Sequence, residues 1–81
     1  MVTLRLFASV REIAGQNQID FHAQTVGEVI QLAVEKFGSD FASILPVCQI
    51  WVNGNPAHED DEVFDGDEVA ILPPVSGGAY E

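Results

Sequence analysis

The sequence predicts an α+β fold, a mixed sheet of four to five strands packed on one main helix. Three observations point there. Short stretches alternate apolar and polar residues at period two, one stretch alone (residues 26–37) carries apolar residues at helical spacing, and turn-forming pairs punctuate the rest.

Val2 to Ala8 alternates, with Val2, Leu4, Leu6 and Ala8 on one face and Thr3, Arg5 and Phe7 on the other, and so predicts a first strand. Ser9 and Glu12 have capping-box spacing and Gly15 supplies a stop, which predicts a short helix between them. Gln18 to His22 alternates again, with Ile19 and Phe21 inward, as a second strand antiparallel to the first. Thr25 and Glu28 open the main helix with a second capping box. Val26, Val29, Ile30, Ala33, Val34 and Phe37 form its apolar stripe, and Gly38 ends it. Phe41, Ile44 and Leu45 predict an irregular turn before Pro46. Cys48, Ile50 and Val52 alternate with Gln49, Trp51 and Asn53 in a third strand, closed by the Asn53-Gly54 turn. Val63-Phe64 is expected as a brief fourth strand, Asp65-Gly66-Asp67 as a tight turn, and Glu68 to Leu72 as the last strand. That order fits a β-grasp with the first and last strands as parallel neighbours at the centre. Residues 1–74 are expected to form the domain and residues 75–81 a flexible tail.

Eighty-one residues suffice for one domain with a core but not for a deep substrate pocket as well. Thirteen acidic residues stand against three basic ones, a formal net charge of −10. That balance argues against nucleic acid and anionic membranes as partners and suits a basic protein surface. A single cysteine excludes an internal disulfide, and no charged leader with an apolar stretch is evident, so a cytoplasmic protein is expected.

The most informative stretch is the last. Val69-Ala70-Ile71-Leu72 stops at Pro73-Pro74, which can neither continue a ladder nor enter a helix. Gly77-Gly78 follow after Val75 and Ser76. Glycine lacks a Cβ, so this pair can thread a narrow channel and bring a backbone carbonyl to a reactive group. The bare alternative is an ordinary chain terminus.

Two blocks carry a resemblance. Leu6-Phe7-Ala8-Ser9-Val10-Arg11-Glu12-Ile13-Ala14-Gly15 and the closing run from Asp65 to Gly78 look like the first strand and helix, and the last strand and tail, of the MoaD/ThiS superfamily of ubiquitin-like sulfur carriers. The chain is most similar to the MoaD type, the small subunit of molybdopterin synthase, and Val52-Asn53 before a turn agrees. The resemblance implies that an adenylating enzyme of the ubiquitin-activating, MoeB type uses ATP to activate the carboxylate of Gly78. Sulfur then replaces AMP to give a thiocarboxylate, and the large MoaE-type subunit, in a heterotetramer, uses it on a pterin precursor. Pro74, Val75, Ser76 and Gly77 would be the tail residues held by those partners, and no cofactor would be bound by the carrier itself. Family members end at the second glycine, whereas Ala79-Tyr80-Glu81 follow here. The extension is then removed by a processing protease, begins a longer natural fusion, or marks an inactive copy; processing is the favoured reading. Two other roles stay open: a ubiquitin-like modifier joined through Gly78 to lysines, and a sulfur carrier for another pathway such as cysteine biosynthesis.

Strand alternation also puts Phe7, Trp51 and Leu72 on the sheet face away from the helix, with Pro56 at its edge. These four are expected to form an exposed apolar patch for partners, against the alternative that a loop covers them. The acidic run Glu59-Asp60-Asp61-Glu62, with Asp65, Asp67 and Glu68 behind it, fits no EF-hand spacing and is expected to be a solvated rim. Cys48 is expected to face the core as a small hydrophobe. His22 and His58 lack a matching ligand set for a metal, and Ser76 lacks a nucleophile-elbow context.

Overall fold

Val2, Leu4 and Leu6 bury one face of the first strand, β1 (Val2–Leu6), with none more than 2% exposed. The structure, a computed structural model, describes residues 1–74. β1 stops two residues short of the expected Ala8, because the Phe7 carbonyl already accepts the amide hydrogens of Val10 (3.1 Å) and Arg11 (3.3 Å). Phe7 is therefore the N-cap of α1 (Ala8–Ala14), Ser9 lies inside the first turn, and the expected Ser9–Glu12 capping box does not form. Gly15 closes α1 in the left-handed region at φ 78°, donating its amide to Arg11. β2 (Gln18–Phe21) returns antiparallel to β1, with Phe21 opposite Val2 and Ile19 opposite Leu4.

The main helix, α2 (Val26–Phe37), starts where its cap predicts. The Thr25 hydroxyl accepts the Glu28 amide hydrogen at 3.1 Å, while the Glu28 carboxylate reaches one residue beyond the cap to the Gln24 amide at 2.7 Å. Val26, Val29 and Ala33 are fully buried against the sheet, and Ile30, Val34 and Phe37 flank them. The segment expected as an irregular turn is instead a helix, α3 (Ser39–Ile44), followed by a 3-10 turn (Leu45–Val47). It is held by Phe41, which is fully buried with its ring 5.2 Å from that of Phe37.

β3 (Gln49–Val52) turns at Asn53-Gly54, both at positive φ (50° and 85°), into β4 (Asn55–Pro56). Here the expectation is corrected. The fourth strand is Asn55–Pro56 and not Val63-Phe64. The Val63 amide bonds to the Gln24 carbonyl beside the start of α2 and the Phe64 amide to the Asp67 carboxylate, so neither enters the sheet ladder. β5 (Glu68–Leu72) completes a five-stranded sheet ordered β2-β1-β5-β3-β4. β1 and β5 are parallel and central, β3 is antiparallel to β5, and the helices cover the face lined by Leu4, Leu6, Val69 and Ile71. This is the β-grasp. Val75, Ser76, Gly77, Gly78 and the Ala79-Tyr80-Glu81 extension lie outside the described residues, and so does the expected tail as a unit.

Candidate partner-docking site at the root of the tail

The face of the sheet away from the helices is set by register. On β5 the outward positions are Glu68, Ala70 and Leu72. Arg5 and Trp51 lie level with Ala70 on either side, and Pro56 is paired beyond Trp51, which makes one row across four strands. Gln49 is opposite Leu72 in the next row. The parallel register that sets Leu6 beside Ile71 brings Phe7 to the level of Leu72, on the other side.

Phe7 keeps an extended backbone as the α1 cap (φ −126°, ψ 149°), so its side chain continues the alternation of β1 instead of turning into the core. It is 38% exposed, and its ring centroid lies 6.0 Å from the Arg5 guanidinium carbon, at the outer limit of a cation–π contact. Trp51 and Leu72 are half-buried and Pro56 is exposed. The Trp51 indole nitrogen donates to the Gln49 side-chain oxygen at 3.2 Å, tying two outward side chains of β3 together. The four residues singled out in the sequence thus share one face, with Phe7 and Leu72 at the end of the sheet from which Pro73 and Pro74 lead away and Trp51 and Pro56 one row before it.

Sequence reasoning left Arg5 out of this group. Its guanidinium pairs with Glu68 at 3.2 Å, and it stands between Thr3 and Phe7 in the outward set of β1. The same alternation that marked Phe7 marked Arg5, but no apolar character drew it into the patch. The pair is exposed and adds little to stability, which leaves Arg5 available to a partner.

The ThiS family profile matches residues 4–78, nearly the whole chain and through both glycines. The chain belongs to the ThiS family. It is 36% identical to the molybdopterin synthase sulfur carrier subunit of Chlamydomonas reinhardtii, over 89% of this chain and 92% of that one. A candidate sulfur carrier protein of Archaeoglobus fulgidus is 35% identical over 95% and 98%, and small archaeal modifier protein 3 of Haloferax volcanii 30% over 93% and 96%. The solution structure of small archaeal modifier protein 1 from Methanosarcina acetivorans superposes with a TM-score of 0.86 at 27% identity, covering 95% of each chain. Two similar chains were solved in complexes. One is from the complex of subunits 1 and 2 of molybdopterin-converting factor from Helicobacter pylori (TM-score 0.74, 27% identity, 95% and 97% covered). The other is from the BexX/CysO complex of Amycolatopsis orientalis (TM-score 0.82, 25% identity, 96% and 100% covered). This ThiS-family chain is a ubiquitin-like sulfur-carrier protein; its neighbours divide between several named roles.

The remaining chemically able groups of this ThiS-family chain are built into its scaffold. Cys48 packs against the core with its thiol donating to the Ile44 carbonyl at 3.3 Å, and burial pushes the thiol above its ordinary pKa, which disfavours the reactive thiolate. The acidic run is only in part a solvated rim. Asp61 accepts the His58 amide hydrogen, Asp67 accepts from the Asn53 side chain and the Phe64 amide, and Asp65 holds the amino terminus of Met1 at 2.5 Å. Glu59, Asp60 and Glu62 point into solvent, as do His22 and His58. Among the described residues no three metal-ligating side chains converge, and no helix is long and apolar enough to cross a membrane.

Proposed function

We propose that this protein is the sulfur-carrier subunit of a molybdopterin synthase, acting through a thiocarboxylate on Gly78 after residues 79–81 are removed. The observation that carries this reading is geometric. The outward face bearing Phe7, Trp51 and Leu72 is continuous with the strand that runs into Pro73-Pro74 and on to the two glycines, so a partner seated on that face lies within reach of Gly78. The 36% identity to the Chlamydomonas reinhardtii subunit supports the pathway, and the two-subunit complex from Helicobacter pylori supports a large-subunit partner, with assembly into a heterotetramer.

The chemistry requires an activating step. A carboxylate is a poor electrophile until it carries a leaving group. A MoeB-type enzyme joins the Gly78 carboxylate to the α-phosphate of ATP and releases pyrophosphate, and a sulfur nucleophile then expels AMP. The carrier supplies no catalytic side chain. It docks, presents its tail and carries the acyl sulfur to a MoaE-type subunit, with a cytoplasmic setting in keeping with that partnership.

Versions ending at Gly78 and at Glu81 should be incubated with the activating enzyme, ATP and sulfide, and their intact masses taken. Replacement of one oxygen by sulfur in the shorter version alone is expected; no change in either would defeat the proposal. The 30% identity to small archaeal modifier protein 3 favours a second reading, conjugation of Gly78 to lysines. Adducts on lysine side chains of other proteins, in place of the mass shift, would select it.

A further inference from the structure

Two segments of this chain carry no acidic or basic side chain. Residues 41–58 and 69–80 contain no Asp, Glu, Lys or Arg, so all thirteen acidic and three basic side chains lie in the other segments. The two charge-free segments meet in space, because β3 pairs with β5 and sets Gln49 opposite Leu72. Gln49 is the first residue of β3, and the 3-10 turn Leu45–Val47 with Cys48 as its cap leads directly into it, so Val47 lies two residues along the chain from the partner of Leu72, where β5 ends. Val47, in the 3-10 turn, is 59% exposed, and Phe7 stands on the opposite side of Leu72. Beside β3 a depression is lined by Leu45, Pro46, Trp51 and Pro56, with His58 and Glu59 also on its wall.

A chain of net charge −10 has charge in plenty for its surface, yet it leaves apolar side chains bare on both sides of the tail's root. Contiguous uncharged apolar surface of this kind marks a protein contact. The length of the tail says where that contact closes. Gly78 is six residues beyond Leu72, at most about 22 Å of extended chain. An enzyme that draws Gly78 into an interior site must bring its surface down onto the residues around Pro73 and Pro74.

We infer that the docking surface is a collar around the root of the tail and not the outer sheet face alone, with Val47 as a second anchor across the root from Phe7. Its occupant is the uncharged, apolar mouth of the channel through which the adenylating enzyme admits Gly78. The inference rests on Gly78 being the activated residue.

The test uses the version ending at Gly78, with ATP–pyrophosphate exchange by the activating enzyme measured against carrier concentration. Val47→Asp is expected to raise KM for the carrier at least tenfold with kcat within twofold of wild type, and Phe7→Asp to behave alike. Phe64→Asp, at a 64% exposed side chain beside Asp65 and away from the tail, is expected to leave both constants unchanged. Val47→Lys should also raise KM, since the contact is apolar and not a matter of charge sign. Thermal melts verify that each variant is folded, and Val47→Ser replaces any that is not. Wild-type KM for Val47→Asp alongside an impaired Phe7→Asp overturns the collar and leaves the Gly78 reading intact. So does an equal defect in Phe64→Asp, or wild-type behaviour of Val47→Lys. No exchange with the unsubstituted carrier overturns both.

Discussion

Ala8 shows how a single residue sets the candidate site. Its φ of +51° lies in the left-handed region, which an L-residue with a Cβ enters at a cost of about 1–2 kcal/mol. That conformation turns the chain from β1 into α1 within one residue and leaves Phe7 extended at the sheet end. Ala8→Gly is expected to stabilise the fold by up to about 1 kcal/mol, the relieved strain being offset in part by the extra chain entropy of glycine. Ala8→Val, β-branched at the same φ, should cost about 1–3 kcal/mol. Urea unfolding of the two variants measures the difference, and equal stabilities would contradict the strained turn. Nothing in the sequence marked Ala8. Asn53, also at positive φ, was legible because Asn-Gly is itself a turn signal, and its side chain further accepts the Glu68 amide hydrogen at 3.0 Å.

Among the elements, those with a long periodic pattern were the readable ones. The stripe of α2 and the alternation of β1, β3 and β5 reflect burial of one face, and a period maintained over several residues seldom arises without such burial. α3 is six residues long, too short to display a helical period, so only packing reveals it. Its anchor is Phe41, and Phe41→Ala is expected to cost about 3–5 kcal/mol, a large share of the roughly 4–12 kcal/mol that a chain of this size possesses. A loss under about 1 kcal/mol in urea unfolding would mean that α3 is not part of the core. The exchange of β4 for Val63-Phe64 has a comparable cause. Val63 has the composition of a strand residue and is buried, but its amide is committed to Gln24, whereas Asn55–Pro56 has poor strand composition and is carried into the ladder by the tight turn before it.

For the whole molecule, acidic side chains brace the end of the sheet opposite the tail, Asp65 holding the amino terminus ahead of β1 and Asp67 the Asn53 turn after β3. Asp65 lies below the ordinary carboxylate range because the Met1 ammonium hydrogen-bonds to it and attracts it, and Asp67 because the Asn53 side chain and the Phe64 amide donate to it. As pH falls, the unfolded chain takes up protons at these positions first, so their contribution is full above the ordinary carboxylate pKa and is lost as pH drops through the lower folded values. The stability gap between wild type and Asp67→Ala is therefore expected to be constant from about pH 7 to pH 5 and to narrow below about pH 4. Thermal midpoints across that range measure it, and a gap that persists at about pH 2 would show that Asp67 acts by packing alone. Acids brace this end of the fold, while Phe7 and Leu72 mark the end from which the tail leaves.

By itself the sequence determined the β-grasp order, the main helix with its cap, and the identity of Phe7, Trp51, Pro56 and Leu72 as one outward set, because period-two and helical patterns record which side chains leave water. It also carried the Gly77-Gly78 tail, since the absence of a Cβ is a property of the residue and not of its surroundings. Only the tertiary structure decided that Asn55–Pro56 is the fourth strand, that Phe41 makes a helix of its segment, and that Arg5 stands in the outward row with Ala70, Trp51 and Pro56. Those outcomes depend on cross-strand register and on competition for backbone hydrogen bonds between residues far apart in the chain, which no local pattern encodes.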